Sequence, residues 1–154
     1  MVACVLIPRF SLRVAGGDRR EACALAPAPG APRVVGEVSG AAEELGVSAG
    51  MALGEALARC PALRLIAADP ARTAELWEGL LGRLEGIGAA VESERVGEAF
   101  FEVDGLVGIH GGEAAGVLAA ARAAAGRAAR VGAAPNRFAA LLAAERRAGA
   151  EAVV

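Results

Sequence analysis

Residues 95–105 of the chain read Arg-Val-Gly-Glu-Ala-Phe-Phe-Glu-Val-Asp-Gly, an apolar segment with acidic residues spaced along it. Aromatic and branched residues at its centre favour a β-strand. In a strand, successive side chains point to opposite faces of the sheet. One face then holds Ala99, Phe101 and Val103, and the other holds Glu98, Phe100, Glu102 and Asp104. The segment therefore predicts a strand with one face in a core and the other open to solvent or a ligand.

The acidic residues of this strand cannot bind one metal ion together. Glu98 and Glu102, four residues apart, are separated by roughly 13 Å in a strand. A two-metal phosphoryl-transfer site instead needs carboxylates that converge on ions about 3.5–4 Å apart. Gly97 has no side chain to add. The segment is either a surface strand with solvated acids or one ligand position of a metal site completed from elsewhere.

Composition indicates a globular chain without a membrane partner. Its 154 residues are 55% hydrophobic, which suits one domain or one domain with a sizeable insertion. Apolar runs stay short of the roughly 18 residues of a membrane span, and the most apolar helix, within 116–129, contains Arg122 and Arg127. The first residues lack the basic region of a signal peptide. We therefore predict a cytoplasmic, nucleoid-associated protein.

Charge and cysteine usage argue against a strongly basic nucleic-acid-binding chain and against a chain held by disulfides or zinc. All sixteen basic residues are arginine, and the net charge of −2 gives no overall electrostatic attraction to nucleic acid. A DNA contact would need a local arginine patch. Cys4, Cys23 and Cys60 are odd in number and far apart, which predicts buried thiols without a disulfide or zinc site.

The first part of the chain predicts a strand followed by a small insertion. Val2–Ile7 is a continuous apolar run that ends at Pro8, as expected for a buried strand. Residues 9–68 are glycine-rich and weakly periodic. We predict two short helices there, with Ser39 and Ser48 as N-caps. Short strands are expected at 22–26, 34–35 and 63–67.

The remaining residues predict the larger body of the fold. Asp69 and Pro70 open a helix whose apolar stripe is Leu76, Leu80, Leu81 and Leu84, with Trp77 beside it. Strands are expected at 89–91, 99–103, 129–133 and 150–154, and helices at 111–125 and 136–147. Apart from the insertion, the order is βαββαβ. This order is typical of a ferredoxin-like α/β (α+β) fold, an antiparallel sheet with helices on one face.

Three motifs resemble the Y-family (UmuC-like) translesion DNA polymerases. The run from Gly36 to Met51, continued by Leu53 to Pro61, is similar to the fingers segment with its Gly-Val-x-x-Gly-Met turn and final Cys-Pro. Residues 131–140, Val-Gly-Ala-Ala-Pro-Asn-Arg-Phe-Ala-Ala, resemble the pattern Val-Gly-Ile-Ala-x-Asn-Lys-x-x-Ala-Lys. Residues 95–103 lie where the family has Ser-x-Asp-Glu-Ala. The resemblance implies a palm formed by 1–8 and 69–154, fingers at 9–68, and a chain that ends before the little finger.

The functional positions that the resemblance implies are mostly replaced. The metal-binding aspartates correspond to Ile7 (or Pro8) and Gly97, and Glu98 is the carboxylate that is kept. The triphosphate-binding tyrosine, arginine and lysine correspond to Gly40, Glu43 and Ala140, and the sugar-discriminating aromatic residue to Leu12. Glu43 and Glu44 would repel a triphosphate by roughly 1 kcal/mol each at contact distance in water.

These losses make the chain similar to the ImuB-like branch, in which the family fold is used as a non-catalytic adaptor in damage-induced mutagenesis. That branch implies DNA, a sliding clamp, a RecA-like protein and an error-prone replicative polymerase as partners, and no cofactor. The alternative is an active error-prone polymerase that binds Mg²⁺ through Glu94, Glu98 or Glu102 in a changed geometry.

Other charged or polar residues allow more than one interpretation. Arg130, Arg137, Arg146 and Arg147 form either a phosphate-facing arginine patch or a solvated helix surface. His110, flanked by glycine, is interpreted as a loop or packing residue. Gly111-Gly112-Glu113 is similar to the Gly-Gly-acidic motif of diguanylate cyclases, but that motif lies in a hairpin and Glu113 is predicted to open a helix.

Overall fold

The structure, a computed structural model, describes residues 1–146 and the backbone of 152–153. The chain divides into two compact units. We call residues 1–8 together with 75 onward the sheet unit, and Arg9–Ala74 the insert unit. The second boundary lies within a helix that starts at Pro70. The division at 68/69 into fingers and palm stays a prediction.

In the sheet unit, the described strands and helices follow the expected order. In the insert unit, the helix at Phe10–Val14 was not predicted, and the strand predicted at 34–35 is reduced to an isolated bridge between Val34 and Ala52. The strands are β1 (Val2–Leu6), β2 (Cys23–Leu25), β3 (Arg64–Ile66), β4 (Glu92–Arg95), β5 (Glu98–Glu102), β6 (Arg130–Ala134) and β7 (Ala152–Val153). The α-helices are α1 (Phe10–Val14), α2 (Gly40–Glu44), α3 (Leu53–Arg59), α4 (Pro70–Glu85), α5 (Ala114–Ala125) and α6 (Arg137–Glu145), and a 3₁₀ helix spans Asp104–Ile109.

The sheet unit has the predicted ferredoxin-like topology. Its strand order is β4-β5-β1-β6-β7, and each neighbouring pair among the first four strands is antiparallel. In sequence, α4 precedes β4 and α5 joins β5 to β6, which gives the order βαββαβ. β7 extends the sheet in parallel with β6. The expected fold class is confirmed.

The two faces of β5 differ as the alternation predicted. Ala99, Phe101 and Val103 are at most 3% exposed. The helices α4 and α5 supply the buried residues Leu80, Leu84, Val117 and Leu118. On the opposite face, one row crosses four strands through Glu92, Phe100, Cys4 and Gly132.

A third helix, α6, packs on this opposite face above β1 and β6. Its Ala140 and Ala144 form a cluster with Cys4 and Ala134. Gly132 permits the close approach, because a Cβ atom there would lie 2.4 Å from the backbone nitrogen of Ala144. Asn136 caps the start of α6, and its side chain accepts a hydrogen bond from the Ala139 N–H.

The stripe of α4 differs from the prediction at two residues. Trp77 is only 3% exposed, whereas Leu76 is 38% exposed. Trp77 shares the helical spacing of the buried Leu80 and Leu84, and its indole N–H donates to Ser93 Oγ at 2.9 Å. The indole therefore packs inward with its polar group satisfied, which agrees with the usual pairing of buried tryptophan N–H groups.

Other predicted elements begin at different residues. β4 comprises residues 92–95 instead of 89–91, and three of these four residues are charged. Charged side chains are common on edge strands because they discourage pairing with other chains. Ser48 does not cap α3, which begins after Ala52; the Leu53 N–H instead donates to the Arg33 carbonyl. α5 begins at Ala114, since Gly111 and Gly112 have φ of 85° and 83°. Of the predicted strand 150–154, only 152–153 is described.

The insert unit has a small core of its own. β2 and β3 form a parallel pair, and the packed residues are mostly small, as in Ala24, Val35, Val38, Ala42 and Val47. Ser39 is completely buried and its Oγ accepts from both the Ala42 and Cys23 N–H groups. The predicted N-cap of α2 is therefore confirmed.

Candidate functional site

The two positions that would carry metal-binding aspartates lie side by side at one end of the sheet. The Ile7 N–H donates to the Gly97 carbonyl at 2.8 Å, one residue beyond the paired Leu6 and Glu98. Ile7 is 5% exposed. The strands thus bring the expected positions together, and neither side chain can bind an ion.

Glu98, the carboxylate that is kept, is bound by a neighbouring arginine. Arg95 Nε donates to Glu98 Oε2 at 3.0 Å, and its second guanidinium nitrogen makes a further contact with the same oxygen. The hydrogen bond to Glu98 raises the pKa of the Arg95 guanidinium. Glu98 retains only 15% side-chain exposure, so little of this side chain is open to solvent. Arg95 ends β4 and Glu98 begins β5, so the pair spans the two-residue turn between these strands. Their separation of three residues in sequence could have suggested this contact.

The surrounding carboxylates do not complete a metal site. Glu102 and Asp104 contact the amino terminus of Met1, at 3.5 and 2.8 Å. Within residues 1–146, no three or more His, Cys, Asp and Glu side chains converge in a geometry that could hold an ion. The side chains at this end of the sheet therefore do not fit the pair of divalent cations that phosphoryl transfer on such a palm would require.

In the insert unit, the position expected for a triphosphate-binding arginine holds an ion pair. Glu43 Oε2 lies 2.9 Å from the guanidinium of Arg9, whose Nε also donates to the Val38 carbonyl at 2.7 Å. Arg9 has φ of 55°, which is unusual for a residue other than glycine. Glu43 is thus partly neutralised, and the expected repulsion of a triphosphate is reduced at this residue. Sequence reasoning missed Arg9, which is 34 residues from Glu43 (43 minus 9).

Two other positions implied by the resemblance are core positions. Leu12 is 2% exposed and packs with Cys23, Leu25 and Ile66. Ala140 is completely buried, as noted above for α6. Counting the quoted pattern from Val131 in fact places its last lysine at Leu141, one residue later than Ala140. Leu141 is also apolar and packs against the α6 cluster, so the cation is missing at either position.

The predicted arginine patch is divided between the two ends of α6. Arg137, at its start, pairs with Glu92 and lies 5.5 Å above the ring centroid of Phe100. Arg130 donates to the Glu145 carbonyl at 3.2 Å, close to the exposed Arg146 at the other end. Nine residues of helix span about 13 Å. Arg147 lies outside the described residues. The DNA-contact role of these arginines stays a prediction.

A shallow pocket of about 130 Å³ lies beside Arg137 on the same face. Its lining combines Val2, Ala90 and Phe100 with the charged Glu92, Glu102 and Arg137. The pocket belongs entirely to the sheet unit.

The remaining candidates are explained by packing. His110 Nε2 lies 2.8 Å from the Ile87 carbonyl, which is consistent with a packing role. Gly111 and Gly112 form a turn before α5 and not a hairpin between strands. The three cysteines are free and buried, and burial raises the pKa of the Cys4 thiol to about 12. Across the described helices, none is long and apolar enough to cross a membrane.

Comparison with solved structures identifies the class of fold. A Y-family DNA polymerase chimera of Dbh and Dpo4 superposes with a TM-score of 0.79 at 18% identity, over 99% of this chain and 48% of the other. An insertion ternary complex of Dbh DNA polymerase gives 0.80 at 17% identity, with 99% and 48% covered. DinB from Sulfolobus solfataricus gives 0.75 at 19%, again with 99% and 48% covered. The chain spans about half the length of these structures, and its fold is that of the Y-family polymerase palm.

The sequence itself matches a family model. The model of the impB/mucB/samB family covers residues 11–145, which is most of the chain. The protein therefore belongs to the impB/mucB/samB family. No curated protein matches the chain.

Proposed function

We propose that this chain is a Y-family polymerase-like module that does not catalyse nucleotidyl transfer and acts as an adaptor in translesion synthesis. One observation carries the proposal: Ile7 and Gly97 are joined by a backbone hydrogen bond at the place where two ligands would be needed. Glu98, the carboxylate kept at the third expected position, accepts a hydrogen bond from Arg95.

The physical argument concerns charge. Phosphoryl transfer depends on positioning and on neutralising the phosphates, mostly through metal ions and cations. A bound metal contributes several kcal/mol of transition-state stabilisation, and each 1.36 kcal/mol changes the rate tenfold. Loss of both metals then lowers the rate by at least about 10⁴-fold. Glu43 and Leu141 further remove cations from the places where the resemblance expects them.

The proposed partners follow from the resemblance. The proposed role is to hold DNA beside a sliding clamp, a RecA-like protein and an error-prone replicative polymerase. Solved structures of similar fold include polymerases caught as ternary and post-insertion complexes, which supports a nucleic-acid-facing role for this module.

Primer extension tests the absence of catalysis. We expect no extension of a labelled primer–template by the full chain with Mg²⁺ or Mn²⁺, beside an active Y-family polymerase as positive control. We expect Glu98→Ala to behave as the wild type, because Glu98 is paired with Arg95 and does not act as a ligand.

Extension that Glu98→Ala abolishes would overturn the proposal and favour an active polymerase that uses this carboxylate. Duplex binding, measured on the same samples by fluorescence anisotropy, decides whether the DNA part of the proposal holds. Circular dichroism should first show that each variant is folded, so that the primer-extension and anisotropy results can be compared with the wild type.

A further inference from the structure

Arg137 lies at a corner of the sheet face, where it pairs with an acidic side chain. Its guanidinium contacts the Glu92 carboxylate and stacks over Phe100. The charges of Glu94 and Glu102 also act on it, after that of Glu92, and all three raise the pKa of Arg137. One cation at this corner therefore contacts one acidic side chain and is acted on by the charges of two others.

The backbone fixes this arrangement. Glu92 and Phe100 are paired across β4 and β5, and the same row continues to Gly132, where α6 rests against the sheet. The first residue of α6 is Arg137, so its side chain reaches back along the row to Glu92. The backbone of Arg137 is therefore positioned by the packing of α6 on the sheet and not by a flexible loop.

The ion pair itself is exposed. Arg137 and Glu92 keep 47% and 66% of their side-chain surface. Exposed pairs contribute little to stability because solvent and salt screen them. A polyanion with several phosphates could therefore displace Glu92, but it would have to do so against the nearby charges of Glu94 and Glu102.

We infer that Glu92 is a built-in competitor for phosphate at Arg137, which weakens the binding of polyanions to this face. The inference rests on the DNA-binding part of the proposed function. It assigns Arg137 as the phosphate contact and Glu92 as the group that limits its affinity. Removing the Glu92 charge should release one cation for one additional phosphate contact.

The test compares charge-matched variants binding a labelled 20-base-pair duplex. We expect Glu92→Gln to bind about fivefold more tightly than the wild type at low salt. Its plot of log affinity against log salt should be steeper by about 0.9, the value for one added phosphate contact. Glu85→Gln removes the same charge from an exposed position on α4. That control should change affinity much less and leave the slope unaltered.

The double variant Glu92→Gln with Arg137→Ala identifies the cation. It should lose the gain that Glu92→Gln shows. Equal gains in Glu92→Gln and Glu85→Gln, no gain in Glu92→Gln, or a gain that survives Arg137→Ala would each overturn the inference. Primer extension by the wild type would contradict the proposed absence of catalysis instead, so the two failures are distinguishable.

Discussion

Gly132→Ala is expected to destabilise the chain by about 3 kcal/mol or more, although it adds one methyl group. Its Cβ would lie 2.4, 2.7 and 2.8 Å from backbone atoms of Ala144, Ala143 and Ala140. Overpacking usually costs about 1–3 kcal/mol when side chains can adjust. Here the obstacle is the backbone of α6, so the helix has to move away from the sheet.

Thermal unfolding followed by circular dichroism measures this effect, with a fall in the melting temperature of about 10 °C. Gly82→Ala is the matched control, because Gly82 lies in α4 and a methyl group added there would meet no neighbouring atom within 4 Å. It should be neutral or stabilising by up to about 1 kcal/mol. Wild-type stability in Gly132→Ala would show that α6 does not rest on β6.

Cys4 offers a local readout of the same change. It is paired with Gly132 across β1 and β6 and is buried under α6, where burial raises its thiol pKa to about 12. If α6 moves away, the pKa should fall toward its ordinary value, since the thiolate gains solvent. Reaction of Cys4 with a thiol reagent at pH 8 should then be faster in Gly132→Ala than in Gly82→Ala.

Trp77→Ala should cost about 3–5 kcal/mol, the range for removing a large buried aromatic side chain. Trp77 is 3% exposed and donates to Ser93 Oγ, which in turn lies 2.8 Å from the Glu98 carbonyl. The substitution therefore removes core volume and also one support of the β4–β5 hairpin.

Leu76→Ala is the comparison, because Leu76 is 38% exposed and should cost less than about 1 kcal/mol. Urea unfolding curves of the two variants, followed by circular dichroism, measure the difference. A larger loss in Leu76→Ala than in Trp77→Ala would support the stripe predicted from sequence and contradict the packing described above.

The fold of the sheet unit was predictable because most of its strands have simple patterns. Alternation along β5 predicted its buried face, and the order of elements predicted the sheet. The exact position of β4 was missed, because a charged edge strand has no apolar signal. Trp77 was placed beside the stripe because helical spacing alone does not decide between adjacent large residues.

The candidate site was predicted less completely. The resemblance assigned the expected metal-ligand positions to Ile7, Gly97 and Glu98, and the structure brings these three residues together. The partners that now occupy the charged residues were not predicted. Arg9 pairs with Glu43, which is far from it in sequence. Arg137 pairs with Glu92, which lies 45 residues earlier. Contacts of this kind depend on tertiary packing and leave no local pattern.

The turn at Gly97 also determines how a carboxylate at this position would affect the β4–β5 hairpin. Gly97 has φ of 88°, in the left-handed region, and ends a two-residue turn between β4 and β5. A side chain there costs roughly 1–2 kcal/mol of backbone strain, somewhat less for aspartate. Two point substitutions, Ile7→Asp and Gly97→Asp, would therefore add two carboxylates beside Glu98, but the second would strain the turn. A carboxylate at residue 97 would thus lower the stability of the hairpin, whereas glycine adopts this turn without strain.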